Sequence, residues 1–290
     1  LYLPSREVYA ESMKLTVLMD NSTIIDRYFL AEPAVSYFIE DGDTTVLFDT
    51  AYSDAFLFNA AKFGIDPTTA DYLAISHGHI DHTGGLEPFL RRCMERRFED
   101  RKARCPKMIA HPKVFVPKEI DGSLSIGIFV SREACATNME IIETEEPYWF
   151  TDRLVFLGEI ERKFDFERPG PIGVRKEAGG DVPDDLPDDT ALAYKSEKGL
   201  VVITGCSHAG ICNIVEQAKR VTGVDQVYDV LGGFHLLNPP AAQLEGTAEY
   251  LASLKLSVLS ACHCTDFASR MRLSKAAPMR EIGSGLQIDY

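Results

Sequence analysis

No apolar run in this 290-residue chain approaches the roughly 20 residues that a membrane helix needs. Residues 1–12 lack both the apolar core and the small-residue cleavage site of an export signal. A soluble, unexported protein without a membrane partner is therefore expected. Positive charge is scarce as well: 30 Lys and Arg against 44 Asp and Glu leave a formal net charge of −14. Nucleic-acid affinity rests on Lys and Arg displacing counterions from phosphates, so no nucleic-acid partner is expected, although a local basic patch still suits a small anion. A secreted disulfide framework is also missing. The seven cysteines (93, 105, 135, 206, 212, 262 and 264) are odd in number and scattered through apolar segments, a usage that fits a reducing cytoplasm. Low-complexity tracts and an obvious linker between the two halves are absent from the chain.

What is present is enough apolar material, 45 % of residues, to bury a full core. It is arranged as alternating β-rich and helical runs. In the first half, residues 15–19, 34–39, 45–48, 72–75 and 107–110 read as strands, with Asp41-Gly42-Asp43 turning the second into the third. Residues 53–63 and 85–97 have helical spacing. The second half repeats the pattern, with strands at 154–157, 190–194, 200–203, 227–231 and 258–261 and helices at 210–221, 241–254 and 267–273. Such alternation implies sheets covered by helices, hence an α/β domain. The domain is expected to span residues 13–290, behind an artificial or loose extension at 1–12. Residues 166–189 are rich in Pro, Gly and Asp, show no periodicity, and read as one long loop, either a lid over a site or a plain mobile loop.

The seven histidines carry the chemistry. Ser76-His77-Gly78-His79-Ile80-Asp81-His82 directly follows the strand at 72–75. Imidazole nitrogen and carboxylate oxygen are the donors that borderline-soft divalent ions prefer, and three histidines with one aspartate supply most of a coordination shell. An extended loop points His77 and His79 the same way and turns Asp81 and His82 toward a neighbouring position, so two adjacent ions can share the segment. Gly84 and Gly85 are expected to let the backbone turn tightly into the next helix. His208 sits at a strand-to-helix turn, suited to hold a ligand rigidly.

Residues 76–86, Ser-His-Gly-His-Ile-Asp-His-Thr-Gly-Gly-Leu, resemble the metal-binding signature of the metallo-β-lactamase superfamily. Phe48-Asp49-Thr50, Thr204-Gly205-Cys206-Ser207-His208-Ala209-Gly210, Gly232-Gly233-Phe234-His235-Leu236 and Cys262-His263-Cys264-Thr265 resemble its branch of dihydropterin-ribofuranosylaminobenzene phosphate synthases and related metal-dependent hydrolases. The resemblance implies a four-layer αβ/βα sandwich, two mixed β-sheets flanked by helices, with metals at one edge between the sheets. It implies His77, His79 and His208 on one ion and Asp81, His82 and His263 on a second, with Asp81 also orienting an attacking hydroxide. Most superfamily members carry a bridging aspartate where this chain has Cys206, which is read as lying behind the ligands. Cys262 and Cys264 are read as packing residues.

Several roles stay open in the sequence. Asp49 either orients a metal-bound histidine through its free ring nitrogen or caps a turn. His235 is a ligand, a general acid for the leaving group or a substrate contact. His111, before Pro112, touches substrate or is a satisfied structural histidine. Arg162, Arg168, Arg175 and Lys176 either clamp a substrate phosphate or form a solvated loop edge. Ala51 stands where the branch commonly has Gly, and Asp266, also at a common Gly position, is free to cap the final helix. The cofactor expected is one or two divalent ions. Zinc fits the nitrogen-rich set, while iron and manganese suit His and carboxylate donors. Three functions follow: a hydrolase of a small phosphorylated or ester substrate acting through metal-bound hydroxide, a dihydropterin-type transferase releasing diphosphate, and a non-catalytic metal-binding sensor. The oligomeric state is not encoded in any of these patterns.

Overall fold

A computed structural model of the chain describes residues 12–167 and 170–290. The expectations for residues 1–11 and for Arg168 lie outside the described residues. In chain order the first half contains β1 (Lys14–Met19), β2 (Ser36–Asp41), β3 (Thr44–Phe48), α1 (Ala55–Lys62), β4 (Tyr72–Ala74), α2 (Ile80–Thr83), α3 (Leu86–Glu99), β5 (Lys107–Ala110), β6 (Lys118–Ile120), β7 (Leu124–Ser125), α4 (Arg132–Asn138) and β8 (Ile141–Glu143). The second half contains β9 (Tyr148–Trp149), β10 (Leu154–Phe156), β11 (Val174–Glu177), β12 (Gly180–Pro183), β13 (Ala191–Ser196), β14 (Gly199–Thr204), α5 (Ile211–Thr222), β15 (Val227–Gly233), α6 (Ala241–Ser253), β16 (Val258–Cys262), α7 (Phe267–Leu273) and β17 (Gln287–Asp289). Among the described residues no helix is long and apolar enough to cross a membrane.

One sheet runs β17-β1-β2-β3-β4-β5-β8 and the other β16-β15-β14-β13-β10-β9. Strand side chains alternate between faces, so each strand feeds two cores. Tyr37, Ile39, Val46 and Phe48 of the first sheet meet Leu192, Tyr194, Val201 and Ile203 of the second in a central core. The opposite faces are covered separately. Phe38, Leu47 and Leu73 pack with Phe56 of α1 and Phe89 of α3, while Leu200 and Val202 pack with Ile214 of α5, Leu251 of α6 and Leu273 of α7. Helix, sheet, sheet, helix is the four-layer sandwich expected. Each large side chain buried there contributes roughly 1.5–3 kcal/mol over leaving it in water.

The segment at 166–189 departs from expectation. It contains the hairpin β11–β12, paired from Val174↔Pro183 to Glu177↔Gly180, and β11 extends a small third sheet through Arg175↔Lys118. Apolar alternation does not reveal it because ion pairs hold it. Arg175 contacts Glu177 and Asp185, each at 2.6 Å, and Lys176 contacts Asp181 at 2.8 Å and Glu119 at 3.2 Å. Gly84 and Gly85 also differ in their reason. Both have ordinary right-handed backbone, but a side chain on either would collide with the carbonyls of Tyr52 and Thr50. They serve close approach rather than a tight turn.

Candidate metal centre

The parallel strands β3-β4-β5 and β14-β15-β16 end at the same edge of the sandwich, and loops at strand C-termini are where open α/β sheets build sites. β3 leads into Asp49, β4 into residues 76–82, β14 into Cys206 and His208, β15 into His235 and β16 into His263. Asp49, Ser207, His235 and His263 adopt left-handed backbone, with φ of 59°, 64°, 48° and 49°. Such conformations are strained for residues with a Cβ and persist where surrounding contacts enforce them.

Hydrogen bonds fix which ring nitrogens face inward. The Asp49 carboxylate accepts from Ser76 N, Ser76 Oγ and His82 Nδ1, each at 2.7 Å. His82 therefore presents Nε2 to the interior, 3.5 Å from Asp81 Oδ2. His263 donates Nδ1–H to Asn21 Oδ1 at 2.9 Å, and its Nε2 lies 3.4 Å from Asp81 Oδ2. Ser76 Oγ gives its proton to Asp49, so it accepts from His77 Nδ1 at 2.9 Å. That leaves His77 Nε2 as a bare lone pair, 3.2 Å from His208 Nε2.

Two donor groups result. The rings of His77, His79 and His208 form a triangle with centroids 4.7, 4.7 and 4.8 Å apart. Beside them, donor atoms of Asp81, His82, Cys206 and His263 lie within 4.8 Å of one another. His79 Nε2 and His208 Nδ1 are buried without a hydrogen-bond partner, a cost of roughly 1–3 kcal/mol per group that a coordinated cation would offset. Burial, reinforced by the neighbouring imidazoles, holds His77 and His208 well below the usual histidine range. Burial also takes His79 down to about 4 against the opposing pull of Asp81. Neutral imidazoles are the form a metal requires. His82 behaves oppositely: although burial disfavours its charge, Asp81 and Asp49 lift it to about 9. Asp81 lies well below the carboxylate range, because His82 and His263 outweigh its burial. The donor set fits divalent ions.

The other expected residues divide. The His235 ring lies 4.2 Å from that of His208 by centroids, tilted 53° to it, and with Arg162, Ile172 and Leu186 it lines a cavity of about 340 Å³. Cys264 raises the His235 pKa against the effect of burial. Asp49 meets His82 at Nδ1, the ring nitrogen turned away from the interior. Asp266 caps α7 by accepting from Ser269 N at 2.7 Å. His111 is not part of this cavity's wall. Its Nδ1 accepts from Lys113 N at 3.1 Å, so Nε2 carries the proton and faces Glu159 Oε2 at 3.3 Å. Arg175 and Lys176 do not line it either, because their charges are spent on the hairpin carboxylates.

Four contributors were not singled out in the sequence. Asn21 follows an apolar strand just as Asp49 does, a signal that would have revealed it. Lys118, Asp184 and Asp188 carry no local signal. Lys118, buried, pairs with Asp188 at 3.0 Å and Asp184 at 3.3 Å, and Asp188 Oδ2 accepts from the Gly78 amide between His77 and His79 at 2.8 Å.

Residues 31–263 match the metallo-β-lactamase superfamily. The chain belongs to that superfamily. It is 30 % identical over 273 residues to the 7,8-dihydropterin-6-methyl-4-(β-D-ribofuranosyl)-aminobenzene-5′-phosphate synthase of Methanocaldococcus jannaschii, covering 89 % of each chain. A crystal structure of a metal-dependent hydrolase of the β-lactamase superfamily superposes with a TM-score of 0.79 at 27 % identity, over 96 % of this chain and 99 % of that one. A diphosphatase of the PhnP family shares the fold, with a TM-score of 0.55 at 16 % identity over 96 % and 98 % of the two chains. Within the metallo-β-lactamase frame, the sandwich expected from the motifs is the one observed, with the motif loops gathered at one edge.

Proposed function

We propose that this superfamily member is a hydrolase of a small phosphorylated or ester substrate, working with two divalent ions held by His77, His79 and His208 and by Asp81, His82 and His263. The carrying observation is the pair of adjacent donor groups, Asp81, His82, Cys206 and His263 beside His77, His79 and His208, with His79 Nε2 and His208 Nδ1 buried and unpartnered. Divalent ions bound there supply a water of lowered pKa and positive charge opposite a developing negative one. Zinc suits this set best, with iron and manganese as the other candidates.

The chain's own residues do the rest. The cavity of about 340 Å³ beside His208 and His235 is of a size for a small molecule. The Arg162 guanidinium on its wall favours an anionic group, and Ile172 and Leu186 give the same wall apolar surface. Asp81 would orient the attacking water through its carboxylate, and His235 would give a proton to the leaving group. Seven free cysteines suit a reducing cytoplasm.

A second reading is favoured by one observation, the 30 % identity to the M. jannaschii synthase over nearly the full length of both chains. It is a transferase joining a pterin to an aryl-riboside phosphate with release of diphosphate. Elemental analysis of the purified chain, with a screen of phosphomonoesters, phosphodiesters, lactones and thioesters beside a diphosphate-release assay, separates the two. Pairing His77→Ala with His79→Ala should diminish bound metal and abolish turnover. Undiminished metal in that variant refutes the reading.

A further inference from the structure

We propose that Cys206 is a direct ligand whose thiolate bridges the two cations, so that the centre selects thiophilic ions. This deepens the metal reading above and rests on it. Cys206 Sγ lies 3.2 Å from His82 Nε2 and 3.2 Å from His263 Nε2. Both rings have their Nδ1 protons committed outward, to Asp49 and to Asn21, so two inward nitrogens converge on one sulfur. The same sulfur also lies within 4.8 Å of the ligating nitrogens of His77 and His208. It therefore reaches donors of both ions.

The backbone is built to keep the sulfur there. Ser207 takes a left-handed conformation, φ 64°, and its hydroxyl donates to Gly233 O at 2.6 Å. The Cys206 carbonyl accepts from Cys264 Sγ at 3.4 Å. On the other side Gly205 has no room for a side chain, since a Cβ would collide with Ser76 Oγ. A strained turn held from three directions, with a buried thiol at its tip and two inward imidazole nitrogens on its sulfur, is more than packing requires. Loading breaks the S–H bond, forms two metal–sulfur bonds and releases the proton to solvent. A thiolate bridge favours zinc, cobalt or iron over manganese and magnesium, whereas a carboxylate in its place would relax that preference.

The experiment titrates cobalt(II) into the metal-stripped full chain and follows the near-ultraviolet sulfur-to-cobalt charge-transfer band. The expected band grows through both the first and the second equivalent and is kept in Cys262→Ser and Cys264→Ser. In Cys206→Asp it is lost while two ions still bind. Two bound ions without a sulfur band in the unaltered chain overturn the proposal yet leave the two-metal reading intact. A band that saturates at one equivalent makes the thiolate terminal and gives the bridge to Asp81. A band that survives Cys206→Asp assigns the sulfur to another cysteine. Failure to bind cobalt at all overturns the metal reading itself.

Discussion

Asp49 concentrates three hydrogen bonds of 2.7 Å on one buried carboxylate, and through them it sets the tautomers of His77 and His82 together. Removing such a support typically weakens metal affinity by about 10- to 100-fold without touching a ligand. Asp49→Ala is therefore expected to lose affinity by that factor in a competitive chelator titration while retaining all six proposed nitrogen and oxygen ligands. An unchanged affinity would show that the rings are held by other contacts. Much of the centre is visible residue by residue, because His77, His79, Asp81 and His82 lie in one short loop and their neighbours in the chain are their neighbours in space. His111 and Arg175 show where this stops. The carboxylate that each of them meets is brought there by the fold and not by a neighbouring motif, and Glu159 stands 48 residues from His111.

At the level of elements, α5 begins three residues after His208, and buried amides of its first turn are satisfied by Glu167. The carboxylate accepts from Cys212 N and from Asn213 N, each at 2.9 Å. Loss of a capping acceptor costs about 1–2 kcal/mol, and Glu167→Ala should show that loss in urea unfolding, with faster amide exchange at residues 212 and 213. If stability and exchange are unaltered, the cap is dispensable. The long elements could be read from periodicity because apolar faces bury them: α5, expected at 210–221, is found at Ile211–Thr222 with Ile214, Val215 and Ala218 buried. β6, β7, β11 and β12 have two to four residues each. Their pairing depends on charged partners from other segments, which no local pattern contains.

Across the whole molecule, the proposed ligands come from both sheets. His77, His79, Asp81 and His82 follow β4 of the first, and His208 and His263 follow β14 and β16 of the second. Ions bound across that seam stabilise only the folded state, by about 2.7 kcal/mol at a hundredfold excess over the dissociation constant. Chelation should accordingly lower the Tm measured by calorimetry, whereas an unmoved Tm would show that no ion ties the sheets together. A second long-range support is Lys118. Replacing it with Met strands Asp184 and Asp188 in a site where all three side chains are fully buried. Breaking such a buried pair costs about 3–5 kcal/mol, and thermal denaturation of Lys118→Met should register it.

The Lys118 cluster also has a mechanical aspect. Asp188 grips the amide between His77 and His79, and Asp184 closes the base of the hairpin through Ile172 N, 2.8 Å from its carbonyl. Ile172 in turn faces the cavity. One lysine thus ties the cavity wall to the loop that carries the first two histidines. A guest that shifts the wall would be felt at those rings, and by reciprocity each occupant would change the other's affinity by the same factor.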